Sequence, residues 1–284
     1  MSRNRDRAGA HDKNVEAPMT SVPQNSSLEE IFVVPSEFVE LPSQGRFYPE
    51  GHPLRGQTSV EIKQMTAREE DILTSRTLLK KGIAIERALQ SVIKDKRINV
   101  DHMLVGDKNA LIIGMRITGY SNLYETSVIC PSCGEDNYYP FDLSKASVYN
   151  SENISKLDIA DNQDGTFEIQ LPQTKVNVVF RLMVGQDEDS LMVTPKTNHN
   201  RGDEERAVTS QLRKIIISVN GSASMNVLNY MVENIPSQDA RHLRMAYKAA
   251  APNIDLTQNF KCSECDFSQD MEVPLTADFF WPDR

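Results

Sequence analysis

The sequence predicts an α+β fold: a helical N-terminal unit, then a four-cysteine zinc ribbon split by a long insert that holds a β-hairpin and a small helical unit. Three observations carry that expectation. Two cysteine pairs share one spacing, strand-like segments flank each pair, and apolar positions recur at helical spacing before the first pair and between the two. The pairs are Cys130-Pro131-Ser132-Cys133 and Cys262-Ser263-Glu264-Cys265, and the chain holds no other cysteine. Two residues between thiols let both sulfurs of a pair face one point, and two such pairs make the tetrahedral four-thiolate cage that Zn²⁺ favours. A structural zinc on Cys130, Cys133, Cys262 and Cys265 is therefore expected. Four metal-free buried thiols, or two disulfides, are the competing readings. A catalytic zinc usually keeps an open position and a His or carboxylate ligand, whereas four sulfurs close the site. None of the five histidines lies close in sequence to a pair.

Residues 1–27 are polar and lack any apolar period, which predicts a disordered arm. Residues 28–122 read as a loop and helical unit. An apolar run from Phe32 to Val39 meets Leu41-Pro42-Ser43-Gln44-Gly45-Arg46-Phe47-Tyr48-Pro49-Glu50-Gly51, where proline and glycine specify turns and Phe47-Tyr48 would fasten the loop to a core. Its glycines are too sparse for a phosphate loop, and no lysine follows in the required place. Val60-Glu61-Ile62 alternates as a short strand. Thr66-Ala67-Arg68-Glu69 is a capping box that starts a helix. Glu69, Glu70 and Asp71 then complement the macrodipole of its first turn, which accounts for them without acid–base chemistry. Ile83, Ile85, Ala88, Leu89, Val92 and Ile93 mark a second helix after Gly82, and a third is expected over about Asp107 to Ile117.

The two halves of the ribbon are residues 123–145 and 254–284. The first half reads as strand Leu123–Ile129, the cysteine turn, and strand Tyr138–Leu143. The second reads as Ile254–Phe260, the second turn, and Met271–Leu275. Residues 146–253 form the insert. Thr166–Leu171 and Lys175–Leu182 alternate with period two around Pro172-Gln173-Thr174, a hairpin. A polar loop, 197–206, contains Arg201-Gly202-Asp203, a tripeptide best read as coincidence. Val208, Leu212, Ile215, Ile216 and Val219 trace one helical stripe, and another helix starts near Ser237 as its cap. Phe279, Phe280 and Trp281 close the chain either as core residues or as a partner-binding anchor.

A formal net charge of −9 argues against a generic nucleic-acid binder, because polyanion binding needs a basic face. No secretory apolar region and no apolar run of membrane-spanning length is present, so a reducing cytoplasm is expected, in agreement with metal-bound thiols. No nucleophile with a base, phosphate loop or catalytic metal triad assembles. The residues alone describe a non-enzymatic, zinc-stapled interaction or assembly protein, with a zinc-ribbon nucleic-acid-binding module as the alternative and a zinc hydrolase as a third reading.

The order of several motifs adds a resemblance. Leu41 to Tyr48, the helix start Met65-Thr66-Ala67-Arg68-Glu69-Glu70-Asp71-Ile72-Leu73, Cys130 to Cys133 leading to Phe141-Asp142-Leu143, the Phe167 to Leu182 hairpin and Asp278-Phe279-Phe280 together resemble the baseplate hub family of T4-like, contractile-tailed bacteriophages. That family includes a hub subunit and a hub assembly factor. The resemblance implies a bacteriophage structural or assembly protein whose partners are other baseplate and tail proteins or further copies of itself. It also implies work in the host cytoplasm during tail assembly, or a place in the virion baseplate.

Overall fold

Sequence-local signals explain most of what surrounds the cysteines. The computed structural model describes residues 34–149, 154–192, 207–275 and 277–280; the expected arm 1–27, the loop 197–206 and Trp281 lie outside the described residues. The chain divides into two units, Met1–Val34 and Pro35–Arg284. The second opens with β1 (Ser36–Glu40), antiparallel to β2 (Ser59–Lys63). Between them, Leu41–Gly51 folds as successive turns with Leu41, Phe47 and Tyr48 buried, as the aromatic pair predicts.

What fixes this loop is a carboxylate on a helix far along the chain. Asp107 accepts hydrogen bonds from the Ser43 amide at 2.9 Å, the Ser43 hydroxyl at 2.6 Å and the Tyr48 hydroxyl at 2.7 Å. The Tyr48 oxygen accepts in turn from the Leu104 amide at 3.1 Å. Burial pushes the Asp107 carboxyl up, and the three donors work against that. Gly45 is required by both conformation and space: its φ is +68°, and a Cβ would lie 2.5 Å from the Leu54 carbonyl oxygen. Ser43 and Tyr48 of the turn-rich motif are thereby held to one helix, and Gly45, whose amide donates to the Ser43 hydroxyl at 3.0 Å, lets the chain pass against Leu54.

The helical unit has four helices where three are expected: the helix that begins at Thr66 is broken at Ser75, whose backbone is extended, into α1 (Ala67–Thr74) and α2 (Arg76–Lys81), and α3 (Ala84–Val92) and α4 (Val105–Gly119) follow in the expected order. The capping box forms, with the Glu69 carboxylate accepting from the Thr66 amide at 2.9 Å and the Thr66 hydroxyl at 2.6 Å. Glu69 does more than cap. Fully buried, it also takes Lys63 at 2.9 Å and the Ser91 hydroxyl at 2.6 Å, joining β2, α1 and α3. Burial alone would raise its carboxyl, but donation from Ser91, Thr66 and Lys63 overcomes that and holds it down at about 2. Because the folded value lies below the ordinary carboxylate value, this stabilisation is complete above about pH 4.3 and is lost as pH falls toward 2. Glu69→Gln is expected to cost about 3 kcal/mol at neutral pH and progressively less below about pH 4. Denaturant melts of both proteins across that range check it.

α4 runs beneath the rest of the unit, and Gly106 in its first turn brings it against the strand that precedes the second cysteine pair. A Cβ there would lie 1.9 Å from the Pro252 carbonyl oxygen. Backbone, not a movable side chain, blocks it. Gly106→Ala is expected to destabilise by about 3 kcal/mol, lowering the melting temperature by roughly 5–10 °C; calorimetry on the variant reads this directly.

The insert holds more strand than the sequence predicts. The expected hairpin is β7 (Thr166–Gln170) and β8 (Asn177–Arg181), in a four-stranded antiparallel sheet ordered β6-β7-β8-β9, with β6 at Ala160–Asp161 and β9 at Ile216–Val219. β9 corrects the expected helical stripe. α6 (Ala207–Ile215) ends where it meets Ile216-Ile217-Ser218-Val219, a run rich in β-branched residues that pairs along β8 instead of continuing the helix. α5 (Gly185–Met192) and α7 (Met225–Asn234) were not expected. α7 fully buries only Val232, but Leu228, Met231 and Ile235 beside it complete an i, i+3, i+4, i+7 apolar stripe packed on the core, a helix signal the sequence does carry, while Met225 and Tyr230 stay exposed. α8 (Ser237–Ala250) begins at the expected place, but Pro236, not Ser237, occupies the cap position. Buried Asp239 instead receives the Gln173 and Thr174 amides, at 2.8 and 3.0 Å, and holds the β7–β8 turn.

Candidate metal centre

Two hairpins present the cysteines. β3 (Leu123–Ile129) and β4 (Asp136–Asp142) flank the first pair in seven-residue register from Leu123↔Asp142 to Ile129↔Asp136. β11 (Thr257–Lys261) and β12 (Ser268–Glu272) flank the second, from Thr257↔Glu272 to Lys261↔Ser268. The expected single strand 254–260 is broken at Leu256: β10 (Asn253–Asp255) pairs with β5 (Ser147–Tyr149), tying the ends of the insert together.

The two turns close alike. In each, the first cysteine's amide donates to the carbonyl five residues on, Cys130 to Glu135 at 2.9 Å and Cys262 to Phe267 at 3.0 Å. Backbone amides also point at sulfur: Glu264 donates to Cys262 Sγ at 3.4 Å, and Glu135 and Phe267 do the same for Cys133 and Cys265. Donation of this kind favours thiolate over thiol.

The four Sγ atoms lie within 4.8 Å of one another. Cross-hairpin separations are 3.8 Å for Cys130–Cys265 and 3.7 Å for Cys133–Cys262. A tetrahedral ion with metal–sulfur bonds of about 2.3 Å sets its sulfurs about 3.8 Å apart, so the arrangement fits one four-coordinate cation. All four are free cysteines, and among the described residues no histidine or carboxylate joins the cluster. Without a cation the thiols compete for charge. Cys262 is held at about 6 by amide donation from Glu264 and Cys265, against the burial that opposes it. Cys133 is pushed up to about 12: the Glu135 amide pulls it down, but desolvation and the three neighbouring sulfurs outweigh that. Four sulfurs so placed cannot all ionise unless a positive ion sits among them.

Side chains that sequence reasoning did not single out hold the halves in register. Asn137, 4% exposed, accepts from both the amide and the hydroxyl of Ser263, each at 2.8 Å, and so joins one cysteine turn to the other. The Gln258 side chain pairs with the Asp142 backbone in both directions, at 3.1 and 2.8 Å. The Tyr139 hydroxyl donates to the Asn259 carbonyl at 3.0 Å, while its ring meets Phe260 edge-on at 5.2 Å. Asn137 follows the acidic turn after Cys133, where an Asn reads as a turn former; no spacing marks it as a bridge.

Of the three closing aromatics, Phe279 and Phe280 are described. Phe279 and Phe280 are buried, at 4% and 1% exposed, and pack as core residues within this chain. Phe279 meets Tyr124 of β3 edge-on at 5.1 Å and Phe280 at 4.9 Å. Arg116 of α4, 2% exposed, donates to the Phe279 carbonyl at 2.6 Å, the Ser121 carbonyl at 2.9 Å and the Leu123 carbonyl at 3.3 Å. One guanidinium thus fastens the last turn of the described chain to the start of the first ribbon hairpin.

The geometry describes a closed centre on a two-hairpin scaffold, within a chain that carries the turn-rich motif at its start and the aromatic turn at its end. The family model described as T4 bacteriophage base plate protein matches residues 36–281. The chain belongs to this family. The matched span takes in both cysteine turns, the loop held by Asp107 and the Phe279-Phe280 turn. Comparison with curated proteins and with solved structures finds no match. No helix among the described residues is long and apolar enough to cross a membrane.

Proposed function

We infer that this baseplate-family chain is a non-enzymatic structural or assembly protein of the baseplate hub, with one Zn²⁺ on Cys130, Cys133, Cys262 and Cys265 as a fold staple. The observation that carries this is the convergence of four sulfurs, from turns 129 residues apart, on one tetrahedral point within the family span. Closing so long a loop is where a cross-link stabilises most in the chain-entropy picture. The donor set supports a structural role, since four thiolates leave no position for substrate or water. Bound zinc would supply cohesion here, not chemistry. Its partners would be other tail proteins, met in the host cytoplasm during assembly, and as a subunit it would stay in the virion baseplate.

Quantitative mass spectrometry of purified virions, set beside the infected-cell lysate, tests the role. Retention in the virion at fixed stoichiometry identifies a subunit, and presence in the lysate alone with recovery of baseplate intermediates identifies an assembly factor. Recovery with neither virions nor intermediates would overturn both. The nucleic-acid-binding alternative demands DNA affinity that falls steeply with salt, and the net charge of −9 speaks against it.

A further inference from the structure

The charge of this acidic protein is not spread evenly. A groove of about 740 Å³ opens between β2, α1, α2 and α3, and its walls carry Lys63, Arg68, Arg87, Lys94 and Lys96 with no carboxylate facing in. Its floor is apolar, formed by Ile72, Leu78, Val92 and Ile93. Three of the five cations are already engaged: Lys63 by Glu69 at 2.9 Å, Lys94 by Glu61 at 2.8 Å, and Lys96 by the Ile93 carbonyl at 2.6 Å. Arg68 and Arg87, both exposed, have no ion-pair partner among the described residues. The cations also crowd one another: Lys96 is held below the usual lysine value by desolvation and then by the nearby Lys63.

An apolar floor between unpaired arginines is complementary to one kind of occupant. We propose that this groove docks an acidic amphipathic helical segment of a partner protein, apolar face on Ile72 and Leu78, carboxylates on Arg68 and Arg87. A helix laid in a groove presents apolar side chains at i, i+3, i+4 and i+7, and acids along its flanks would meet the two guanidiniums, whose planar forks suit carboxylates. Nucleic acid fits less well, because the walls hold no aromatic ring for base stacking and the floor would desolvate phosphate. The site lies on the helical unit, apart from the cysteines. It deepens the assembly reading by stating the chemistry of one partner, and rests on that reading only in taking the partner to be a baseplate component.

The test uses the purified full chain and a fluorescent peptide about four helical turns long, with leucines at helical spacing and glutamates elsewhere. The control peptide carries glutamine in place of every glutamate. Anisotropy titration should show binding of the acidic peptide that weakens with salt, and Arg68→Glu with Arg87→Glu should weaken it at least about tenfold. The milder Arg68→Gln with Arg87→Gln keeps the test sound if reversed charges disturb folding, and should lower affinity by a smaller factor in the same direction. Equal binding of the glutamine peptide, or affinity unchanged in both double variants, would overturn the proposal. Displacement of the peptide by duplex DNA at comparable charge concentration would replace it with a polyanion site. Each outcome is read without virions, so it stands or fails separately from the assembly role.

Discussion

Cys262→Ser is expected to release the metal and lower the melting temperature of the whole chain by about 10 °C or more. Cys262 is buried, and its turn is bonded through Ser263 to Asn137 in the other hairpin. Metal affinity is folding free energy in such a site, so losing one thiolate of four loosens both hairpins together. The change should also couple to α4, which packs against β10 immediately before the second hairpin, through Gly106 and Pro252. A chelator should produce the same shift in the wild-type protein and little further shift in the variant. An unchanged melting temperature in both experiments would remove the staple from the account.

Phe280→Ala is expected to cost about 3–5 kcal/mol, as for other large-to-small changes at fully buried aromatics. The ring is 1% exposed and packs edge-on with Phe279, whose carbonyl takes the Arg116 guanidinium. Deleting residues 278–284 goes further, since it removes both rings and leaves the buried Arg116 without that acceptor. The truncated chain should fail to fold cooperatively, which circular dichroism and denaturant titration read. A truncated protein that melts like the full chain would return these aromatics to the role of a dispensable anchor.

How far the sequence reveals this molecule depends on whether the signal is local. The two cysteine turns, the Thr66–Glu69 capping box and strand β3 were legible because each is written in a few adjacent residues whose spacing has one physical meaning. Strand β9 and helix α7 were not expected. In the first, a β-branched run continued an apparent helical stripe, and only its pairing with β8 decides between the two. In the second, Leu228, Met231, Val232 and Ile235 do stand at helical spacing and pack on the core, so the signal was local and the expectation passed over it among the exposed Met225, Val227 and Tyr230. The site was legible to the same extent. Its four clustered cysteines follow from spacing, whereas Asn137, Gln258 and Arg116 act across 126, 116 and 163 residues, distances over which a single sequence carries no pattern. The terminal aromatics show the same limit: composition made them valuable to bury, but the face they meet on α4 and β3 had to be seen.

The most direct test of the central claim is metal analysis of the purified chain joined to X-ray absorption at the zinc edge. One zinc per chain is expected, surrounded by four sulfurs at about 2.3 Å with no nitrogen or oxygen ligand. A folded protein free of metal, or a shell containing nitrogen or oxygen, would contradict it.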